Sequence, residues 1–194
     1  YFRILFENMT EPVMYSQNGE LFIPGAVIAI NKGGSNDRPL GKYGDGVEFG
    51  GDGGYDVKIN IGDAVSLTNP LGRVYYTTPS IGHEIRNIEK SLIEFSLLVE
   101  YLGEPGEDWK YFVGAGLMSD RSMNFANAGP MPVLKEGPPV FIKGANFDFG
   151  NPAFIDILLP EDIDQSKLLG NYDPEKGKRA VVPMIGPENK KDSR

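Results

Sequence analysis

Cysteine is absent from these 194 residues, which excludes disulfides, thiolate chemistry and cysteine-bound zinc. Histidine occurs once, at His83, so a metal centre built from several histidines cannot come from one such chain. A Ser–His–Asp arrangement could be drawn around His83. No Gly-x-Ser-x-Gly elbow is present to hold its nucleophile, and His83 reads as a turn or surface residue. Long apolar runs are missing too: none approaches the roughly 20 residues of a membrane helix. Excess positive charge is also lacking. The formal charge is −8, and phosphate recognition needs clustered Lys and Arg, so no nucleic-acid partner is expected. No fixed-period repeat appears, which argues against a solenoid or propeller.

Turn formers are abundant, with 25 glycines and 15 prolines. Many turns imply many short strands. A hydrophobic share of 40% beside 24% charged residues is ordinary globular composition, not that of a disordered chain. A chain of this length can bury about 70% of its unfolded surface.

Residues 1–6 are aromatic and aliphatic and read as a first strand, without the features of a secretion signal. Residues 12–30 read as strands around an Asn18-Gly19 turn, whose residues suit the positive φ values of type I′. Pro24-Gly25 is a bend or bulge before Val27–Ile30. Residues 32–55 form a glycine- and acid-rich surface loop. Val57, Ile59 and Ile61 then alternate with Lys58 and Asn60 as a half-buried strand. Val65 and Leu67 follow, and Asn69-Pro70-Leu71-Gly72 turns the chain into Val74-Tyr75-Tyr76.

Between Ile93 and Tyr101 apolar residues take alternate places, with an aromatic segment from Trp109 to Val113 beyond a Gly-Pro turn. The pattern predicts a long hairpin, with room for a short helix near residues 81–90. A loop-rich stretch covers 119–139. Strands are expected at 140–143 and 153–159, with an extended segment at 147–149. The fold expected is an all-β antiparallel sandwich, with a jelly roll as one arrangement of it, long Gly/Pro-rich loops and at most one or two short helices. A barrel is the alternative. One domain would span 1–163, and 164–194 would form a polar C-terminal extension or arm.

Four acids in the glycine loop, Asp45, Glu48, Asp52 and Asp56, could converge on calcium, which favours several oxygen ligands on a flexible backbone. The run from Gly50 to Asp56 comes near a calcium-binding nonapeptide, but Tyr55 stands where an acid is required. Trp109 and Tyr111, with Tyr75, Tyr76 and Phe112, are candidates for a ligand-stacking platform. Glu94 and Glu100 are six residues apart on one strand face, roughly 20 Å, too far for paired-carboxylate glycoside chemistry. Asn8-Met9-Thr10 fits an N-glycosylation triplet, a pattern common by chance.

With catalytic groups so sparse, the leading expectation is a non-enzymatic assembly subunit, of a virion or an extracellular filament. It would self-associate into a homo-oligomer or larger assembly by strand edges and by arms at 1–6 and 180–185. The alternative is a carbohydrate- or surface-binding module, calcium-dependent if the four acids hold the ion, and a third is a carboxylate hydrolase. A virion or extracellular location is expected, without membrane insertion.

Overall fold

A computed structural model describes residues 1–7, 9, 20–33, 43–50, 53–62, 64–79, 81, 84–120, 129–131, 152, 154 and 156–186. Their strands are β1 (Phe2–Leu5), β2 (Glu20–Asn31), β3 (Tyr43–Gly44), β4 (Val47–Phe49), β5 (Val57–Ile61), β6 (Val65–Thr68), β7 (Val74–Thr77), β8 (Arg86–Asn87), β9 (Leu92–Phe95), β10 (Lys110–Asp120), β11 (Gly129–Met131), β12 (Asp156–Ile157) and β13 (Ala180–Val182). Two short helices accompany them, α1 (Val99–Leu102) and α2 (Gln165–Leu169). The fold is all-β and sandwich-like, as its composition and alternation require.

A large sheet in the order β11-β10-β2-β5-β6-β7, with β12 also on β10, forms the middle layer. A small sheet β1-β9-β8 and a second, β13-β4-β3, supply the other strands. Pairing is antiparallel throughout, except between β13 and β4. β2 shows why the large sheet lies in the middle. Ala26, Ile28 and Ile30 enter one core with Ile59, Ile93 and Phe95, while Val27 and Ala29 enter another with Phe49, Phe112 and Val182. A strand covered on both faces reads as a continuous apolar run, and 26–30 is such a run.

Several expectations change in this frame. β2 is one continuous strand, and the Pro24-Gly25 irregularity lies inside it: its ladder with β10 slips between Gly116 and Met118. Proline has no N–H to give that ladder. The 32–55 loop contains the β3–β4 hairpin, turned by Asp45 (φ 52°) and Gly46 (φ 80°). Two positive φ values make a type I′ turn, for which Asp-Gly is a favoured pair. Val47 and Phe49 are fully buried behind it.

The hairpin expected between 93–101 and 109–113 does not form. β9 stops at Phe95 and pairs with β1 and β8, and α1 follows as a single helical turn. The Gly103 N–H donates to the Val99 carbonyl at 2.6 Å, and Gly103 leaves that turn at φ 83°. Alternation across 97–101 therefore marks no strand face: Leu97 and Tyr101 pack against the first core, whereas Val99 between them is exposed. Near 81–90, the described residues hold turns on either side of the two residues of β8 and no helix.

Neither proposed arm hangs free. β1 pairs with β9 from Phe2 to Leu5. Residues 164–186 lie on the second core: Asp164 caps α2 through the Lys167 N–H (3.1 Å), Ala180 and Val182 are buried, and Ile185 bridges Tyr111. The polar surface of this segment hides an apolar side. Asn18-Gly19, Asp52, His83, the strand expected at 140–143, the segment at 147–149 and the residues after 186 lie outside the described residues, as does Asn8.

Candidate functional site

Four acids were candidates for a cation. Asp45, at the β3–β4 turn, pairs with Lys58 of β5, with Nζ 3.1 Å from each carboxylate oxygen. Asp56 accepts the Lys32 backbone N–H at 2.8 Å. Glu48 sits on β4 opposite Tyr43. Among the described residues no three acidic or histidine side chains are grouped as a metal would need.

The aromatic candidates separate sharply. Trp109 is only 6% exposed and belongs to the first core, with Lys32 Nζ 5.7 Å from its ring centre and the Tyr111 ring 6.3 Å away. Tyr111 is half-buried, its backbone tied to Ile185 by bonds of 2.8 and 2.7 Å. Phe112 is buried in the second core. Tyr75, in contrast, is 46% exposed on β7, the last strand of the large sheet.

Tyr75 owes its position to a bulge. Leu67 faces Tyr76 and Thr68 faces Val74, leaving Tyr75 as the unpaired extra residue. In a flat strand neighbouring side chains take opposite faces, whereas a bulge re-aims one of them. Both tyrosines accordingly reach Tyr101 of α1. The Tyr76 ring lies 4.1 Å from the Tyr101 ring, tilted by 33°, and the Tyr75 hydroxyl donates to the Tyr101 carbonyl at 3.5 Å. Partial burial raises the Tyr75 hydroxyl above its ordinary pKa of 10.0, so the phenol is neutral at physiological pH.

The flanking residues are exposed and mixed in character, with Arg73 and Glu100 charged among apolar neighbours. Leu98 and Val99 are exposed beside Tyr101. Leu71 is exposed at the tip of the β6–β7 turn, where the Asn69 side chain accepts the Leu71 and Arg73 N–H groups at 3.0 Å each. Tyr75 is thus an exposed aromatic on the last strand of the large sheet, which the braced turn leads into. Paired-carboxylate chemistry has no counterpart in it: Glu94 lies on β9 opposite Arg3, and Glu100 on α1.

Sequence reasoning had Tyr75 and Tyr76 but missed Tyr101, Leu98 and Val99, which it placed in a strand. The available signal was two consecutive bulky aromatics in a strand that otherwise alternates, an arrangement that a bulge resolves.

A buried polar group lies on the other face of the large sheet. Asn60 is 2% exposed, its amide nitrogen 3.4 Å from both Ser66 Oγ and Thr68 Oγ1, while its Oδ1 has no partner among the described residues. Among the described residues no helix is long and apolar enough to cross a membrane.

Comparison with curated proteins and with solved structures gave no match. A family model described as the C-terminal binding-module, SLH-like, of glucodextranase matches residues 1–185. It favours the binding-module alternative over an assembly subunit of a virion or filament, which gains no support from it. With nearly the whole length matched, the chain belongs to the family of SLH-like C-terminal binding modules of glucodextranase.

Proposed function

We propose that this chain is a non-catalytic module that binds polysaccharide at or near a cell surface, outside the cytoplasm, through the face formed by Tyr75 and Tyr101. The observation that carries the reading is Tyr75: a half-exposed aromatic on a bulged edge strand, oriented by a second tyrosine. Sugar rings stack on such faces because their C–H groups are apolar and the aromatic ring presents a negative face. A rigid sheet edge lowers the ordering cost of capture. The family described for glucodextranase supports the binding class, and the exposure of Tyr75 beside Tyr101 is what favours this face.

The test is co-sedimentation of the intact chain with insoluble polysaccharides and isolated cell walls. The expected result is retention that Tyr75→Ala abolishes and Tyr75→Phe preserves. Since Tyr75 is half-exposed, its removal leaves the thermal midpoint close to wild type, which separates lost binding from lost folding. Retention unchanged in Tyr75→Ala would remove this face from consideration.

A further inference from the structure

The sheet edges of this molecule are unequally protected. β7 is bulged at Tyr75, β11 carries Pro130 within its three residues, β13 has three residues, and β3 and β8 have two each. Bulges, proline and shortness all blunt an edge against pairing. β1 has none of them. It is a four-residue strand at the end of its sheet, and among the described residues no strand lies on its outer side.

The Phe6 N–H donates to the Ser91 carbonyl at 2.8 Å, which assigns the backbone groups of Phe2, Ile4 and Phe6 to the ladder with β9. Those of Arg3 and Leu5 therefore point the other way, to the open edge. Burial alternates in step. Phe2, Ile4 and Phe6 are half-buried against the first core, with Phe2 stacked on Phe95 at 5.1 Å, whereas Arg3, Leu5 and Glu7 are exposed. Among the described residues neither the Arg3 nor the Glu7 side chain holds an ion pair.

We propose that β1 is a dimerisation edge, which pairs antiparallel with the same strand of a second copy about a two-fold axis through Leu5. The order of cation, leucine and anion along the exposed row is what selects a second copy. In this register Arg3 faces Glu7 of the partner subunit, and Glu7 faces Arg3 of the partner subunit. Opposite charges directly across a strand pair are stabilising. Leu5 exchanges its N–H and carbonyl with those of Leu5 of the partner subunit, which is strand addition in isologous form. On the core side Ile4 meets Phe6 of the partner subunit, and both lose their remaining contact with water. The axis cannot pass through Arg3, because that register opposes like charges.

The net charge of −8 on each copy resists approach. At physiological ionic strength the screening length is about 8 Å, which damps that repulsion more than it weakens charges in contact. A pairing confined to residues 3–7 stays below about 1,200 Å², so the dimer is weak and concentration-dependent. Its consequence is bivalency: any surface the module binds with is presented twice.

Sedimentation velocity of the intact chain over a concentration series, at physiological salt, reads the equilibrium. A dimer fraction that rises with concentration is expected. Glu7→Arg or Arg3→Glu should each weaken it by about tenfold or more, by opposing like charges. Arg3→Glu/Glu7→Arg reverses the row and should restore the dimer, and an equimolar mixture of the two single variants should form a heterodimer. Leu5→Pro removes an N–H that β9 does not use, and should abolish pairing. Thermal midpoints are followed in parallel, because Arg3→Glu also sets like charge opposite Glu94 of β9. Glu7→Arg and Leu5→Pro carry the test if Arg3→Glu does not fold. A monomer at every concentration would overturn the proposal, as would a dimer indifferent to Glu7→Arg and Leu5→Pro. Losses in folded single variants that neither the double variant nor the mixture restores would overturn it as well.

Discussion

The two cores on either side of the large sheet are built differently. The first is mostly aliphatic, with Ile28, Ile30, Ile59, Ile61 and Leu67 presented by neighbouring antiparallel strands. The second is aromatic. Phe112 meets Phe49 at 5.4 Å and Phe154 at 5.0 Å in edge-on geometry, and Phe49 meets Tyr55 at 5.7 Å. Its residues come from segments scattered between Val27 and Met184. Close strand pairing assembles the first core, whereas a few rings at the meeting point of distant segments hold the second. A single substitution should therefore be felt more in the second.

The largest effect is expected from Phe112→Ala. Truncating a buried phenylalanine costs about 3–5 kcal/mol, from lost transfer energy and the cavity left behind. The removal also strips the Phe49 and Phe154 rings of their shared neighbour. Urea denaturation measures the loss. Hydrogen exchange tests the comparison: protection should fall first at β4 and β13 and be retained longest at β5 and β6. An equal fall in protection over all four strands would show that the cores open as one unit.

The same contrast explains what could be read in advance. Val57, Ile59 and Ile61 announced a buried face by period two, because antiparallel neighbours repeat that period along several residues. The second core left no such trace. Val47 and Phe49 sit in a three-residue strand amid glycines, and Ala180 and Val182 in a polar tail. Only long-range pairing, parallel between β13 and β4, reveals their role. Of the candidate face, Tyr75 and Tyr76 were visible as aromatics, but sequence spacing cannot show which aromatics a core absorbs. Trp109 and Tyr75 look alike in the chain, yet one ends buried and the other half-exposed.

An intermediate effect is expected from Gly114→Ala. A Cβ built at Gly114 would lie 2.4 Å from Phe154 Cδ1 and 3.1 Å from Phe112 Cε1. The missing side chain is what lets the Phe154 ring lie on β10. Overpacking of this kind costs about 1–3 kcal/mol. The double variant Gly114→Ala/Phe154→Leu sharpens the point. If the clash is the cause, the two changes will be non-additive, with the leucine recovering part of what the alanine loses. Strict additivity would mean that the glycine acts through backbone freedom instead.

The smallest effect concerns pH and distinguishes the cores by chemistry. Tyr55 packs edge-on against Phe49, and burial raises its hydroxyl above 10.0. Of the ion pair beside it, Lys58 pulls the value down and Asp45 pushes it up. Below about pH 10 the phenol is neutral in both the folded and unfolded chain, and its contribution is complete. As pH rises past 10, the unfolded chain gives up the proton first. From there the unfolded state binds fewer protons, and stability falls until the folded-state pKa is passed. Denaturation midpoints measured from neutral to strongly alkaline pH should thus decline more steeply for wild type than for Tyr55→Phe, which has no proton to lose. The aliphatic first core offers a control, since Ile59→Val lowers stability by about 0.5–1.5 kcal/mol without changing the pH slope. Parallel alkaline slopes for wild type and Tyr55→Phe would show that the second core yields to hydroxide through some other group, and that Tyr55 contributes there by shape alone.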